Sequence, residues 1–479
     1  MRACNAPYNS KFITGSPIRY AMVMLVSAFT FLSISCGDGA IEPDPLPTVY
    51  DASGFDGDEL VTGWYSVMYS CVGQTPGYTE PVAARAYAYL GITLYESVVN
   101  GMPNNRSLAG QLNGLHSMPV PDTAGKRFHW SLAANAAMAE YLRLTFAGAP
   151  AQVVKTIDSL EQKNYSERTA LTKEPDMSER SVAYGKQVGA AIFEYAKTDG
   201  GHGADLNNFP AQYTPAGGDA DWIPTPPDNR KVPMLPDWGK NRPLALPEAN
   251  VLDGRDPGAF PAFSVDKSSA FYSAANSVYN SVKTLKPEQR SLAQYWSGDA
   301  TITSTVTAHI FSMMNQYVQT GAYRLDAVAE LYAKVGIAMN DGCVSCFAAK
   351  YKYPLMRPLS YIQKNIDRTW NANKVTDPVV TPSMPEYVSG HTVQAAAAVE
   401  LIKEVFPRTF LIDRTLRRTR SMPEREYATP DAILNEIVLA QKYSGTHYGF
   451  SIDAGTAMGK NVAATLKARL QFRKERPFL

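Results

Sequence analysis

The chain has almost no net charge: 46 lysines and arginines face 45 aspartates and glutamates, leaving +1 over 479 residues. A balance of this kind supplies no strong global field, which argues against nucleic acid as a partner. Long apolar runs are also missing. Beyond residue 35 no stretch offers the roughly 18 uncharged apolar residues of a membrane span, so the body of the protein reads as soluble. Cysteine is sparse, with five residues. Cys343 and Cys346 form a single C-x-x-C with no second pair and no flanking histidine, which argues against a zinc site. A local disulfide, a bridge to Cys71 and buried thiols all remain compatible with the spacing. The alternating pattern of half-buried strands is absent as well. Histidine is rare, at six residues, so a histidine in a distinctive context carries weight.

What is present begins with an address. Lys11 and Arg19 precede an apolar run, Tyr20 to Ser35, that ends in small residues before Cys36. This has the form of a secretory signal. It resembles a bacterial lipoprotein signal, which implies cleavage before Cys36, lipid on its thiol, and an exported protein anchored to a membrane of the bacterial cell envelope. Ser33 stands where leucine is usual, and an ordinary signal peptide is the alternative. Residues 36–60 read as a polar linker.

Helical periodicity dominates the rest. Pro81 to Val99, Phe128 to Phe146, Ala151 to Tyr165 and Ser178 to Lys197 repeat apolar residues at helical spacing, and form an N-terminal helical half over 61–199. Arg85 and Glu96 within the first of these read as solvated or intrahelical ion-pairing groups. Residues 200–268 break the pattern with many glycines and prolines. Their aromatics Phe209, Tyr213, Trp222 and Trp238 favour a packed crossover over a loose insert. A C-terminal helical domain follows over 269–479, with helices expected at Ser269 to Leu285, Pro287 to Trp296, Ile302 to Thr320, Leu325 to about Lys350, Ser389 to Phe406, Thr429 to about Tyr443 and Ser451 to Phe472. The expected fold class is all-α, built of bundled helices.

Three segments carry candidate chemistry. Lys350 closes one helix, which Pro354 must end, and Pro358 holds Arg357 in an extended turn, so two cations can approach one point from different directions. Arg357 offers a planar fork for an oxyanion and Lys350 a point charge. Ser389-Gly390-His391 opens the next apolar helix, where free N–H groups and the positive end of the helix dipole favour an anion. A glycine-containing turn, Ser444-Gly445-Thr446-His447, then delivers a second histidine ahead of the last helix.

The order K-x6-R-P, S-G-H and a turn ending in histidine is similar to the signature of the superfamily joining type 2 phosphatidic acid phosphatases, bacterial acid phosphatases and vanadium-dependent haloperoxidases. Ala84 to Tyr89 with Leu94-Tyr95-Glu96, and Asn340-Asp341-Gly342 leading into Lys350, look like the haloperoxidase branch. The resemblance implies that Lys350, Arg357, Ser389 and Gly390 bind the oxygens of vanadate or phosphate. It implies that His391 is the acid–base residue and that His447 ligates vanadium or accepts a phosphoryl group. The implied activity is peroxide-dependent halide oxidation at histidine-bound vanadate, on small molecules. Alternatives are an exported acid phosphatase working through a phosphohistidine, and a surface lipoprotein whose oxyanion site has degenerated. Phe347 is a candidate apolar wall for a halide. The sequence departs from the family at Gln441, where an arginine is usual, at Ser451, where a carboxylate often orients the histidine, and at Val388, where proline is common. Lys442 and Asp453 are the candidate replacements for the missing cation and carboxylate.

Overall fold

Alanine-rich sequence with tyrosine, leucine and valine at helical spacing can bury a helix on every side, because alanine lets neighbouring backbones approach closely. The computed structural model describes residues 51–474 apart from 125, 171–174, 299–304 and 373–378. Among these, fourteen α-helices carry the fold, and the named strands are one pair of three residues each. The fold is therefore all-α, as expected. The signal segment and Cys36 lie outside the described residues.

The N-terminal helices are α1 (Asp58–Gln74), α2 (Glu80–Val98), α3 (Trp130–Thr145), α4 (Ala151–Thr169) and α5 (Pro175–Ala196). The C-terminal set comprises α6 (Ala270–Lys283), α7 (Pro287–Tyr295), α8 (Val306–Val318), α9 (Leu325–Lys352) and α10 (Pro358–Asn365). It continues with α11 (Gly390–Val405), α12 (Thr415–Arg420), α13 (Pro430–Ser444) and α14 (Gly449–Arg469). Helix α1 starts inside the segment read as linker, with Asp58 and Glu59 in its first turn, where the helix dipole favours acids. Helix α10 is a second element that the periodicity did not announce. Between α11 and α13 the arginine-rich turn forms β1 (Leu411–Asp413) and β2 (Arg425–Tyr427), paired antiparallel.

Helix α2 lies along α9, and α11 packs against both α9 and α14. Nearly all of α2 is buried, and this overturns the reading of Arg85 and Glu96 as solvated or intrahelical groups. Arg85 Nε donates to Asp199 at 2.7 Å, and Tyr89 donates to the same carboxylate. Glu96 accepts from the Leu108 backbone and the Ser107 hydroxyl. Helix surface that has no access to water must pair its charges across the chain.

The proline-rich crossover is a packed wrap. Trp222 and Trp238 are buried, the Trp222 backbone donates to Pro354, and Asp341 of α9 accepts from three consecutive amides, Leu244 to Leu246. Met234 donates to the Ser383 carbonyl and Met356 to the Ala220 carbonyl. The wrap thereby fixes the turn that carries Arg357 and the loop that leads to Ser389.

Candidate oxyanion site

The three segments singled out in the sequence meet at the C-terminal end of α9. Lys350 sits in its last turn, and the helix ends two residues later, ahead of Pro354. Arg357 is the N-cap of α10 with φ −67° and ψ 149°, the extended conformation that Pro358 enforces. Ser389 is the N-cap of α11, yet its hydroxyl makes no capping hydrogen bond. His447 follows Gly445, whose φ of +74° closes the turn after α13.

Lys350 and Arg357 are both buried. The Lys350 ammonium donates to the carbonyls of Pro385, Glu386 and Val388 at 3.0, 3.0 and 2.7 Å. Its three hydrogens are thus committed to the loop before Ser389, and it acts on an anion through its charge. Burial pushes its pKa down to about 8. Arg357 Nε donates to Met384 O at 2.8 Å, and Nη1 reaches Thr446 O at 3.2 Å and His447 Nε2 at 3.4 Å. Burial depresses this guanidinium too, to about 10.

The histidine at 447 has a defined proton. A guanidinium can only donate, so Nε2, facing Arg357, presents a lone pair and Nδ1 carries the hydrogen. Nδ1 lies 2.7 Å from Glu386 Oε1, which also accepts from the Tyr448 amide at 3.0 Å. Burial, then the charges of Arg357 and Lys350, push the His447 pKa well below the usual value, so the ring is neutral. Burial raises the Glu386 carboxyl to about 7 against the pull of Arg357 and Lys350.

Glu386 is the group that the sequence reading missed. Asp453, the expected substitute for the missing carboxylate, is exposed on α14. Ser451, at the place where the family keeps that carboxylate, is buried and acts on the Glu386 carboxyl from beside it. An acidic residue three before Ser389, in a segment otherwise apolar, was the available signal.

The missing arginine is not replaced in the same way. Gln441 is buried on α13, whereas Lys442 is exposed and supplies no charge to the site. Phe347 packs near Tyr351 in the core, with ring centroids 6.4 Å apart, and is not among the described residues lining the cavity at His391; Met384 is. The three cysteines among the described residues, Cys71, Cys343 and Cys346, are free and buried. The Cys346 thiol donates to Val388 O at 3.7 Å.

His391 lies one residue into α11, and burial beside Lys350 and Arg357 lowers its pKa to about 4. Gly298 covers its ring. With φ +71° and a position where a Cβ would stand 2.1 Å from His391 Nε2, this residue must be glycine. The segment is anchored just upstream. Trp296 stacks on His309 at 4.4 Å and donates to Glu436, while Tyr295 donates to Asp413 at 2.6 Å. On the other side, a Cβ at Gly455 would meet Ser389 O at 2.7 Å, so α14 touches the start of α11.

The charges leave a residue. Two buried cations face one carboxylate and two histidines that burial keeps neutral. Arg357 Nη2 and Ser389 Oγ are buried with no hydrogen-bond partner among the described residues, and His391 Nε2 has no well-aligned one. Unpartnered buried donors cost about 1–3 kcal/mol each, and the N–H groups opening α11 point the same way. An oxyanion held there would satisfy Arg357 Nη2 and Ser389 Oγ, and the lone pair of His447 Nε2, 3.4 Å from Arg357 Nη1, suits a metal centre. The residues fit vanadate.

An all-α bundle with a buried, cation-rich candidate oxyanion site beside two histidines is the class that fold and site define. Comparison with known proteins agrees. A family model described as the VCPO second helical-bundle domain matches residues 330–474, the stretch holding Lys350, Arg357, Ser389, His391 and His447. The crystal structure described as the first bacterial vanadium-dependent iodoperoxidase superposes with a TM-score of 0.76 at 27% identity, covering 88% of this chain and 98% of that one. A holo-type bacterial vanadium-dependent chloroperoxidase gives 0.63 at 13% identity, over 86% and 97% of the two chains, a likeness of fold. No match is found among curated proteins. Residues 330–474 thus resemble the VCPO second helical-bundle domain, and the fold as a whole is similar to that of bacterial vanadium-dependent haloperoxidases.

Proposed function

We propose that the protein is a vanadium-dependent haloperoxidase that oxidises halide with peroxide, with iodide as its best halide. The observation that carries this reading is the pair of buried, unpartnered donors Arg357 Nη2 and Ser389 Oγ, together with a neutral His447 whose Nε2 lies 3.4 Å from the Arg357 guanidinium. Arg357, Ser389 and the amides opening α11 bind the oxygens of vanadate, Lys350 contributes charge, and His447 Nε2 is the ligand. Bound vanadate supplies a Lewis-acidic centre that activates peroxide towards the halide. Glu386 holds the His447 ring with its lone pair inward, and His391 handles a proton at the cavity side of the site. With two cations in the site and glutamine at 441, less positive charge is available to polarise bound peroxide, which favours the most easily oxidised halide. The chain is exported and lipid-anchored through Cys36; the apolar run before that cysteine supports this. Replacing Cys36 by serine should shift the protein from the membrane to the soluble fraction.

Reconstitution with vanadate, followed by triiodide formation from iodide and peroxide, tests the activity. His447→Ala should abolish it. Hydrolysis of an aromatic phosphate ester without iodide oxidation would reassign the protein as a phosphatase. Failure to bind either vanadate or phosphate in calorimetry would leave a degenerate site.

A further inference from the structure

A second recess lies where the chain leaving α2 meets the chain leaving α14. The two segments are zipped together: Asn105 and Arg473 pair antiparallel, the Arg106 amide donates to Phe472 O, and the Lys474 amide donates to Asn104 O. Tyr95, buried in α2, donates to the carbonyls of Arg106 and Phe472. Along this ladder runs a cleft of about 890 Å³. Arg106, Arg469 and Lys474 line it, and the described lining includes no carboxylate. The acids behind the wall are already compensated. Glu330 pairs with Lys334 and Arg473, and Glu96 takes up the Ser107 hydroxyl and the Leu108 amide.

None of the three cations forms an ion pair among the described residues. Lys474 donates to Pro103 O at 2.7 Å and Arg106 Nη1 to Gln471 Oε1 at 3.1 Å, which holds both side chains and leaves most of their hydrogens free. The Arg469 side chain makes no hydrogen bond among the described residues. The amide groups of Asn100 and Asn105, also in the lining, donate to Tyr184 and to Tyr95 and Glu330, while their side-chain carbonyls accept nothing among the described residues. Three uncompensated cations in one recess call for acid groups, and free carbonyl acceptors call for hydroxyls. A membrane surface meets neither demand: none of the exposed large apolar side chains belongs to this wall, so nothing here would insert among acyl chains. The volume is at the upper end of small-molecule sites, which favours several linked rings over one small anion. Guanidinium forks match planar carboxylates two bonds at a time. We propose that this cleft binds an oligosaccharide of uronic acids, with its carboxylates on Arg106, Arg469 and Lys474 and its hydroxyls on the Asn100 and Asn105 carbonyls. The cleft is separate from the oxyanion site and does not depend on the haloperoxidase reading. Gly455 touches Ser389, and Arg469 ends the same helix, so a rise of about 1.5 Å per residue puts roughly 20 Å between the two.

Trigalacturonate is the probe, with maltotriose as its neutral counterpart and phosphatidylglycerol vesicles as the membrane arm. Calorimetry on the full chain at low ionic strength should show saturable trigalacturonate binding at a single site and no saturable binding of maltotriose. Arg469→Ala removes a side chain that the fold does not use, and should weaken trigalacturonate by about 10- to 100-fold, the value of one charge-assisted pair. Lys155→Ala removes an exposed cation from α4 and should leave the affinity unchanged. Saturating vanadate should leave it unchanged too. Absence of saturable trigalacturonate binding overturns the site. Equal losses in the two variants, the mark of diffuse charge attraction, also overturn it, as does competition by vanadate, which would put the sugar in the oxyanion site. Vesicle binding that is lost in Arg469→Ala, without trigalacturonate binding, would make the cleft a membrane contact instead. Iodide oxidation, assayed separately, decides the haloperoxidase reading whichever of these results is found.

Discussion

Glu386 allows the positioning of His447 to be separated from the charge of the site. Its Oε1 accepts from His447 Nδ1 at 2.7 Å and from the Tyr448 amide at 3.0 Å. Glu386→Gln keeps an acceptor oxygen in place and removes the charge. Glu386→Ala removes both. Losing the charge-assisted character of the bond costs about 1–2 kcal/mol, since bonds to charged groups contribute about 1.5–3 kcal/mol and neutral ones about 1. Against this, a carboxylate and an oxyanion on opposite sides of an imidazole repel by roughly 2 kcal/mol at an effective dielectric of about 20. The two effects oppose each other, so vanadate affinity of the glutamine variant should stay within about tenfold of the parent. Alanine shares the charge relief but leaves two buried donors unsatisfied and the ring unoriented, at about 1–3 kcal/mol per group. The alanine variant should therefore bind vanadate about 10- to 100-fold more weakly than the glutamine variant, the range expected for losing an outer-shell partner of a metal ligand. Titration calorimetry or vanadium NMR on both variants reads the ratio directly. Equal affinities for Gln and Ala would refute the positioning argument. Asp453→Ala, at an exposed position, should change nothing beyond twofold; a loss as large as that of Glu386→Ala would return the orienting role to Asp453.

Gln441→Arg should restore a charge-assisted hydrogen bond of about 1.5–3 kcal/mol and tighten vanadate binding by about 10- to 100-fold; an unchanged dissociation constant would mean that residue 441 does not face the site. Gly455→Val would drive side-chain atoms into Ser389 O and Thr392 Oγ1, only 2.7 and 2.5 Å from the Cβ position. It should cost about 1–3 kcal/mol in denaturant unfolding. His391 has its pKa lowered to about 4 in the folded protein. As pH falls below about 6.5 the unfolded chain takes up this proton first, so the stability linked to neutral His391 is complete above that pH and lost towards about 4. Burial lowers His129 in the same direction, so the comparison to make is the pH slope of unfolding in His391→Asn against the parent, which should be shallower.

The helices were legible because alanine-rich runs with periodic aromatics leave few other ways to bury their surface, and proline marks several of their starts. Helix α1 was harder to read because its apolar residues follow directly on a polar segment, and α10 because eight residues give too few turns to establish a period. The charges in α2 were misread for a related reason. Arg85 and Glu96 look like surface residues until the helix is known to be enclosed, and their partners at Asp199 and at Ser107 with Leu108 lie outside the helix's own spacing. In the site, local rules worked where the backbone fixes the outcome: Pro358 sets the conformation of Arg357, and Ser389 begins a helix. They failed for Glu386, because nothing at its own position relates it to a histidine 61 residues away.

The two departures from the family pattern have opposite outcomes, and the difference is physical. Orienting an imidazole requires an acceptor at one point, and a carboxylate can reach that point from any neighbouring element, so Glu386 on the loop does what a residue four after His447 would otherwise do. Replacing a buried cation is harder, because a long side chain must enter the site and lose its hydration as it does so. Lys442 stays in solvent, and Lys350 already spends its hydrogens on three carbonyls. The orientation of His447 is thereby preserved while the positive charge around it is reduced. On the haloperoxidase reading proposed above, such a site would keep its histidine in place and lose polarising strength, which is the reason to expect turnover with iodide first and a gain towards harder halides when arginine is placed at 441.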